Sequence, residues 1–349
     1  AAKERLFLAR DRIGVKPLFY AIRDCQFIFG SEVKTLLANP LIKPEVNIEG
    51  LAEILMVGPA RTPGNGVFKN VFELKPGHAF VYTATGSRNY RYWALMSHAH
   101  EDNFETTVQK VRELLIDTAQ RQLVADVDVC TFLSGGLDSS ALTALAAMEF
   151  QRSGKGKLNT YSVDYIDNDI YFKASSFQPN SDAPWVEKMV KACDTCHHRI
   201  LIDNIELAKS LPKATLARDF PGMADVDTSL YLFSREIKKG ATVALSGECA
   251  DEVFGGYPWF YREEMINSHA FPWSPKPEMR LDWLNDNVKS QMDLVEYVKT
   301  RYDDAISEVP RLKGEDKVAA RMREIFYLSL TRWMPTLLDR KDRMSMAFG

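Results

Sequence analysis

The sequence predicts an α/β protein built on a parallel sheet, with a smaller α+β unit before it and an all-helical region after it. Three observations carry that expectation. Short apolar, β-branched runs at 127–133, 160–165, 198–202 and 242–246 alternate with helix-forming stretches such as 184–193 and 229–239, the pattern of βαβ units. Two of these runs, 127–133 and 242–246, pass into Ser-Gly turns followed by acidic residues, about 110 residues apart. Near the start, the apolar runs Asp24 to Gly30 and His78 to Thr83 are broken by Thr62-Pro63-Gly64-Asn65-Gly66 and Lys75-Pro76-Gly77, which read as turns.

Taken in order, the first unit runs to about residue 98, where Tyr92-Trp93 gives way to a polar linker from Ser97 to Phe104. Helix follows at 106–115, whose apolar residues recur at helical spacing. The strand Val127 to Leu133 is short and apolar enough to be buried on both faces of a parallel sheet, and Ala141 to Ala147 then forms helix. Beyond residue 258 the chain turns rich in Pro, Trp and charge, with helical stretches near 292–306 and 315–330. No internal repeat or low-complexity tract interrupts it. A chain of 349 residues with 46% hydrophobic content is ample for two domains, expected at 1–98 and 99–349.

Charge and cysteine use narrow the class. Forty-four basic against 47 acidic residues, with no basic block, leave no electrostatic footprint for nucleic acid. No apolar stretch approaches the roughly 18 residues of a membrane helix, and five scattered cysteines suit a reducing compartment, so no membrane partner and a cytoplasmic location are expected.

The chemistry concentrates in Leu133-Ser134-Gly135-Gly136-Leu137-Asp138-Ser139-Ser140. Two glycines between a strand and a helix let the backbone turn tightly and approach a ligand, serines donate hydrogen bonds, and N–H groups at a helix start favour phosphate. A carboxylate beside phosphate is repelled unless a divalent cation lies between them, which makes Asp138 a Mg²⁺ ligand and the ligand a metal nucleotide such as ATP. The plain alternative is an ordinary Gly-Ser turn before a helix. The second string, Leu245-Ser246-Gly247-Glu248-Cys249-Ala250-Asp251-Glu252, weighs against it. Two such turns at the carboxyl ends of neighbouring strands would face one crevice. Clustered carboxylates there balance only against Mg²⁺, with Asp251 the second metal ligand and Glu248 placed for substrate or proton handling; an acidic helix start is the competing reading.

The pair LSGGLDSS and LSGECADEVFGGY resembles the synthetase domain of glutamine-dependent asparagine synthetases, within the pyrophosphatase-loop ATP superfamily (adenine nucleotide alpha hydrolase-like). Ala9 to Tyr20 and Phe29 to Lys34 resemble the later part of that family's N-terminal-nucleophile glutaminase domain, and Leu338 to Ala347 resembles its helix bordering the synthetase site. The resemblance implies that ATP adenylates the aspartate side chain, that ammonia from glutamine displaces AMP, and that a tunnel carries the ammonia. Ser134, Gly135, Gly136, Ser139 and Ser140 would hold pyrophosphate, Asp138 and Asp251 would hold Mg²⁺, and Leu133, Val163, Ser246 and Gly247 would line the adenosine side. Glu248, Asp138 and Asp251 form the implied catalytic set. A homodimer stays open.

The family's nucleophile is an N-terminal cysteine, whereas this chain starts Ala1-Ala2-Lys3 and stops at Phe348-Gly349, before the family's segment with a catalytic lysine. The chain therefore reads as a fragment that should not hydrolyse glutamine by itself. Two positions depart from the family: Cys249 stands where glycine is usual, and Asp225 and Asp227 stand in the region where some members place an arginine near the acceptor. Two alternatives follow, a related amidoligase or cyclase for another carboxylate, and a non-catalytic nucleotide-binding paralogue. Other motifs are demoted. Cys193-Asp194-Thr195-Cys196-His197 has haem-attachment spacing in a chain without export signals; Asp164, Asp167 and Asp169 lack the rest of a calcium loop; Gly64-Asn65-Gly66 has no following GK[ST]; and Tyr257 to Tyr261 reads as packing.

Overall fold

A computed structural model describes residues 4–174 and 180–349; the Ala1-Ala2-Lys3 start lies outside them. Among the described residues, ten strands form three sheets. β1 (Arg5–Ala9), β5 (His78–Thr83) and β6 (Gly86–Arg91) make one antiparallel sheet in the order β1-β5-β6. β2 (Phe19–Arg23), β3 (Gln26–Gly30) and β4 (Phe72–Glu73) make a second, ordered β3-β2-β4. The third holds β7 (Val129–Phe132), β8 (Asn159–Tyr165), β9 (Cys196–Ile202) and β10 (Val243–Leu245) in the order β10-β7-β8-β9, all parallel.

The parallel sheet follows from the expected alternation. Each expected strand is present with its ends moved by at most two residues, and helices Leu137–Arg152, Ala183–Cys193, Asn204–Arg218 and Asp225–Ile237 lie between them. The strand register places Val243 beside Val129 and Leu245 beside Thr131, so the chain leaves β7 and β10 at the same end of the sheet. The core here is Leu123, Val129, Ala146, Ala147, Leu158 and Leu245, with Leu142 and Val243 packed against it. Within it, Thr131 and Thr143 satisfy one another's buried hydroxyls at 3.0 Å and tie β7 to helix Leu137–Arg152.

The chain alternates between two compact units. The first contains 1–99, 215–223 and 251–343; the second contains 100–214, 224–250 and 344–349. This grouping differs from the sequential division at 98/99, because the helical region after residue 251 shares a core with the early α+β segment. Ala52, Met56 and Val57 pack with Phe271, Leu294, Val298, Tyr302, Ala305 and Leu328. As expected, the described chain beyond Leu245 contains helices and no further strand, including Leu294–Ser307, Lys317–Leu328 and Met334–Met346. Tyr257 and Trp259 stack at 4.2 Å, and Trp259 and Trp333 meet edge-on at 6.1 Å, which agrees with packing for that aromatic stretch. No described helix is long and apolar enough to cross a membrane.

Candidate nucleotide-binding site

The first loop begins where β7 ends. Leu133 is buried and its N–H donates to the Tyr161 carbonyl of β8 at 2.8 Å, which fixes the exit direction of the strand. Gly135 then adopts φ +80°, and a Cβ there would lie 2.6 Å from the Trp185 Cβ and 2.9 Å from the Val186 nitrogen, so glycine is required by both conformation and space. The serines hold the turn in shape. The Ser139 hydroxyl donates to the Gly136 carbonyl at 3.2 Å and accepts from the Ser134 N–H at 3.2 Å, and the two hydroxyls lie 3.0 Å apart.

Helix Leu137–Arg152 starts at Gly136, and no side chain caps it. Its first turn is therefore open to an external acceptor, the arrangement that favours an anion. Asp138 stands in that turn, half-buried, and Ser140 beside it is half-buried too.

The second loop comes to the first. A Cβ on Gly247 would lie 3.0 Å from the Ser139 nitrogen and 3.1 Å from the Asp138 carbonyl carbon, so the Ser246-Gly247-Glu248 turn packs directly on the opening turn of the helix. The Glu248 N–H donates to the Ser246 hydroxyl at 3.2 Å, and Cys249 takes φ +74°, a left-handed conformation that favours glycine. Val163 sits on the neighbouring β8, partly exposed and paired with Ile200 of β9. Leu133, Ser134, Gly135, Gly136, Asp138, Ser139, Ser140, Val163, Ser246, Gly247 and Glu248 thus belong to one compact unit.

Asp251 belongs to the other unit. Its carbonyl accepts from the N–H groups of Gly255 at 2.9 Å and Gly256 at 3.1 Å, and a Cβ on Gly256 would lie 1.9 Å from its Oδ1. Among the described residues, no three His, Cys, Asp or Glu side chains gather where a metal ion could sit. The expected donors are nonetheless hard oxygens, carboxylates and hydroxyls, of the kind Mg²⁺ takes.

Two features escape the sequence reading. Trp185, whose own ring carries the Lys188 ammonium 4.0 Å from its centroid, belongs to the helix start that presses on Gly135. The signal for it is the Asp182-Ala183-Pro184 helix start, with Pro in the first turn. The other is a buried ion cluster in the first unit. Asp339 lies 3.9 Å from Arg61, 3.8 Å from Arg218 and 3.3 Å from Arg343, while Arg10 pairs with Glu73 at 3.0 Å. Burial alone would push the Asp339 carboxyl up; the guanidinium groups of Arg61, Arg218, Arg343 and Arg10 hold it below its ordinary value.

The demoted motifs have ordinary roles. His197 bonds Thr160 at 2.9 Å through Nδ1 and Ser162 at 3.0 Å through Nε2, and Asp164 accepts from Asn168 and Arg199.

Comparison with known proteins adds the family. The asparagine synthase model matches residues 110–349 and a glutamine amidotransferase domain model matches residues 1–93. The chain belongs to the asparagine synthase family. It is 52% identical to the glutamine-hydrolysing asparagine synthetase 3 of Bacillus subtilis, over 98% of this chain and 55% of that protein. It is 30% identical to a putative glutamine-hydrolysing asparagine synthetase 2 of Methanocaldococcus jannaschii, over 73% of this chain and 47% of the relative. It is also 29% identical to the amidase chyE of Penicillium rubens, over 80% of this chain and 42% of the relative. This asparagine synthase family chain spans about half the length of the curated relatives it matches.

Proposed function

We propose that this chain carries the ATP-dependent half of a glutamine-dependent asparagine synthetase. The observation that carries the reading is the contact of the second loop with the first, Gly247 against Asp138 and Ser139, at the uncapped start of a helix. That arrangement suits a triphosphate laid across two turns. In this reading an oxygen of the aspartate side-chain carboxylate attacks the α-phosphorus, the bond to the β-phosphate oxygen breaks, and pyrophosphate leaves. The nitrogen of ammonia then attacks the acyl carbon, gives up a proton, and the bond to AMP breaks, leaving asparagine.

The first-turn N–H groups with Ser134, Gly135, Gly136, Ser139 and Ser140 hold the departing pyrophosphate, while Leu133, Val163, Ser246 and Gly247 line the nucleoside. Asp138 and Asp251 would hold Mg²⁺, which supplies charge neutralisation at the phosphates when bound. Glu248 accepts the proton of the incoming amine or positions the acceptor. Residues 1–98 are assigned to the glutaminase domain and 99–349 to the synthetase domain, which supports ammonia from glutamine as the nitrogen source in the parent protein. Five cysteines, none of them in a disulfide, support a cytoplasmic location; a homodimer is part of the same proposal.

A second reading, amidation of another carboxylate, draws on Asp225 and Asp227 in the first turn of helix Asp225–Ile237 and on the amidase among the relatives. One assay decides between them. With ATP, Mg²⁺ and ammonium, pyrophosphate release should depend on aspartate; release only with a different acid selects the second reading, and ADP in place of AMP sinks both. Asp138→Ala should lower the rate by about a hundredfold or more while the unfolding midpoint holds. Undiminished turnover would remove Asp138 from the site.

A further inference from the structure

The first compact unit contains a cavity of about 350 Å³ that the proposed reaction does not use. Its walls come from the loop after β1, the start of β5, the end of β6, helix Leu294–Ser307 and the π-helical turn Ser329–Trp333. A volume of this size is at the lower end for small-molecule sites. The charge is unbalanced. Arg12, Lys75, Arg91, Arg301 and Arg332 line it against two carboxylates, Asp304 and Glu308.

Two of the cations are already neutralised. Arg332 pairs with Glu308 at 2.8 Å and Arg301 with Asp304 at 3.2 Å. The buried Tyr327 hydroxyl donates to the same Glu308 at 3.2 Å, and although burial would push the Glu308 carboxyl up, Arg332, Tyr327 and Lys75 hold it below its ordinary value. Glu308 is therefore ionised and occupied. That leaves Arg12, Lys75 and Arg91, which have no ion pair among the described residues, as three cations around one concavity. Trp93, Tyr327, Leu95 and Leu330 give the lining flat and apolar surface, beside the polar Thr62, His78, Ser307 and Thr331.

We infer that this cavity binds a small organic phosphate with a planar or apolar body. Like charges gathered at one rim repel one another, and a bound phosphate relieves that repulsion and accepts from guanidinium and ammonium donors. The planar part lies against Trp93 and Tyr327. A second carboxylate ligand in place of phosphate would meet the same cations, so the experiment compares the two.

The test uses the whole chain with 1-naphthyl phosphate, 1-naphthoate and inorganic phosphate as probes. Trp93 lines the wall, so 1-naphthyl phosphate should quench tryptophan fluorescence saturably, with Kd below about 1 mM, and Trp93→Phe should remove that component of the signal. Lys75→Glu combined with Arg91→Glu should raise Kd by about tenfold or more, since both side chains are exposed and neither packs the core. Calorimetry reads binding independently of the fluorophore, and an unchanged melting temperature shows that the variant folds. Tighter binding of 1-naphthyl phosphate than of 1-naphthoate or of inorganic phosphate supports both parts of the assignment. No saturable binding, a quench that survives Trp93→Phe in full, an affinity indifferent to the double charge reversal, or naphthoate bound more tightly than the phosphate would each overturn it.

Discussion

Cys249 adopts a left-handed backbone that costs a non-glycine residue on the order of 1 kcal/mol. The site tolerates it because the turn it closes puts Gly247 in contact with Asp138 and Ser139. Cys249→Gly should therefore relieve strain by up to about 1 kcal/mol, partly offset by the greater freedom of glycine in the unfolded chain. Urea unfolding of the two proteins measures this directly; a variant less stable by 1 kcal/mol or more would mean that the thiol's own contacts outweigh the strain. At this scale the sequence was legible wherever a residue type has one plausible use. Gly135 and Gly136 announced a turn, and Gly135 is indeed left-handed. Its contact with Trp185 was not legible, because the partner lies 50 residues away and nothing local to either residue encodes the meeting.

Among the elements, the parallel sheet was readable because its strands are short apolar runs separated by helix-length stretches. Boundaries moved where polar residues join regular structure. Strand β9 starts at Cys196, since Thr160 and Ser162 on β8 give His197 two hydroxyl partners across the ladder. Helix Asn204–Arg218 has no counterpart in the sequence reading, and Pro212 inside it is the residue that masks a helical pattern. The strand pairing also has a pH signature. Burial, then His198 and Arg199, lower the affinity of His197 for a proton below that of an exposed histidine. The unfolded chain thus binds a proton that the folded chain resists, and stability falls as pH drops through the ordinary histidine range, with the contribution complete above it. Thermal unfolding should show a loss between about pH 7 and pH 5 that is smaller in His197→Gln. Equal losses in both proteins would place the titration elsewhere.

For the whole molecule, the two family matches run in sequence order, whereas compactness follows the core and the buried charges. Asp339 is surrounded by Arg61, Arg218 and Arg343, drawn from three separate stretches of chain within the first unit. No local pattern reveals the whole cluster: Arg343 follows Asp339 by four residues on one helix, but Arg218 and Arg61 come from distant parts of the chain. Removing the carboxylate takes away a charge that all three guanidinium groups face, although Arg61 keeps Glu73 and Arg343 keeps Asp219 and Glu32, so Asp339→Asn should destabilise the unit by about 3 kcal/mol, seen as a lowered urea midpoint. A change under about 1 kcal/mol would show that the arginines find other partners or water. The core uniting Ala52, Met56 and Val57 with Phe271, Leu294 and Leu328 has a bearing on how such a gene can be cut. The matches at 1–93 and 110–349 invite expression of each piece separately, yet doing so would part Ala52, Met56 and Val57 from the helical residues they pack against. The segments are joined end to end in the polypeptide but grew into one another in space, and neither is a cassette that can be moved without its counterpart.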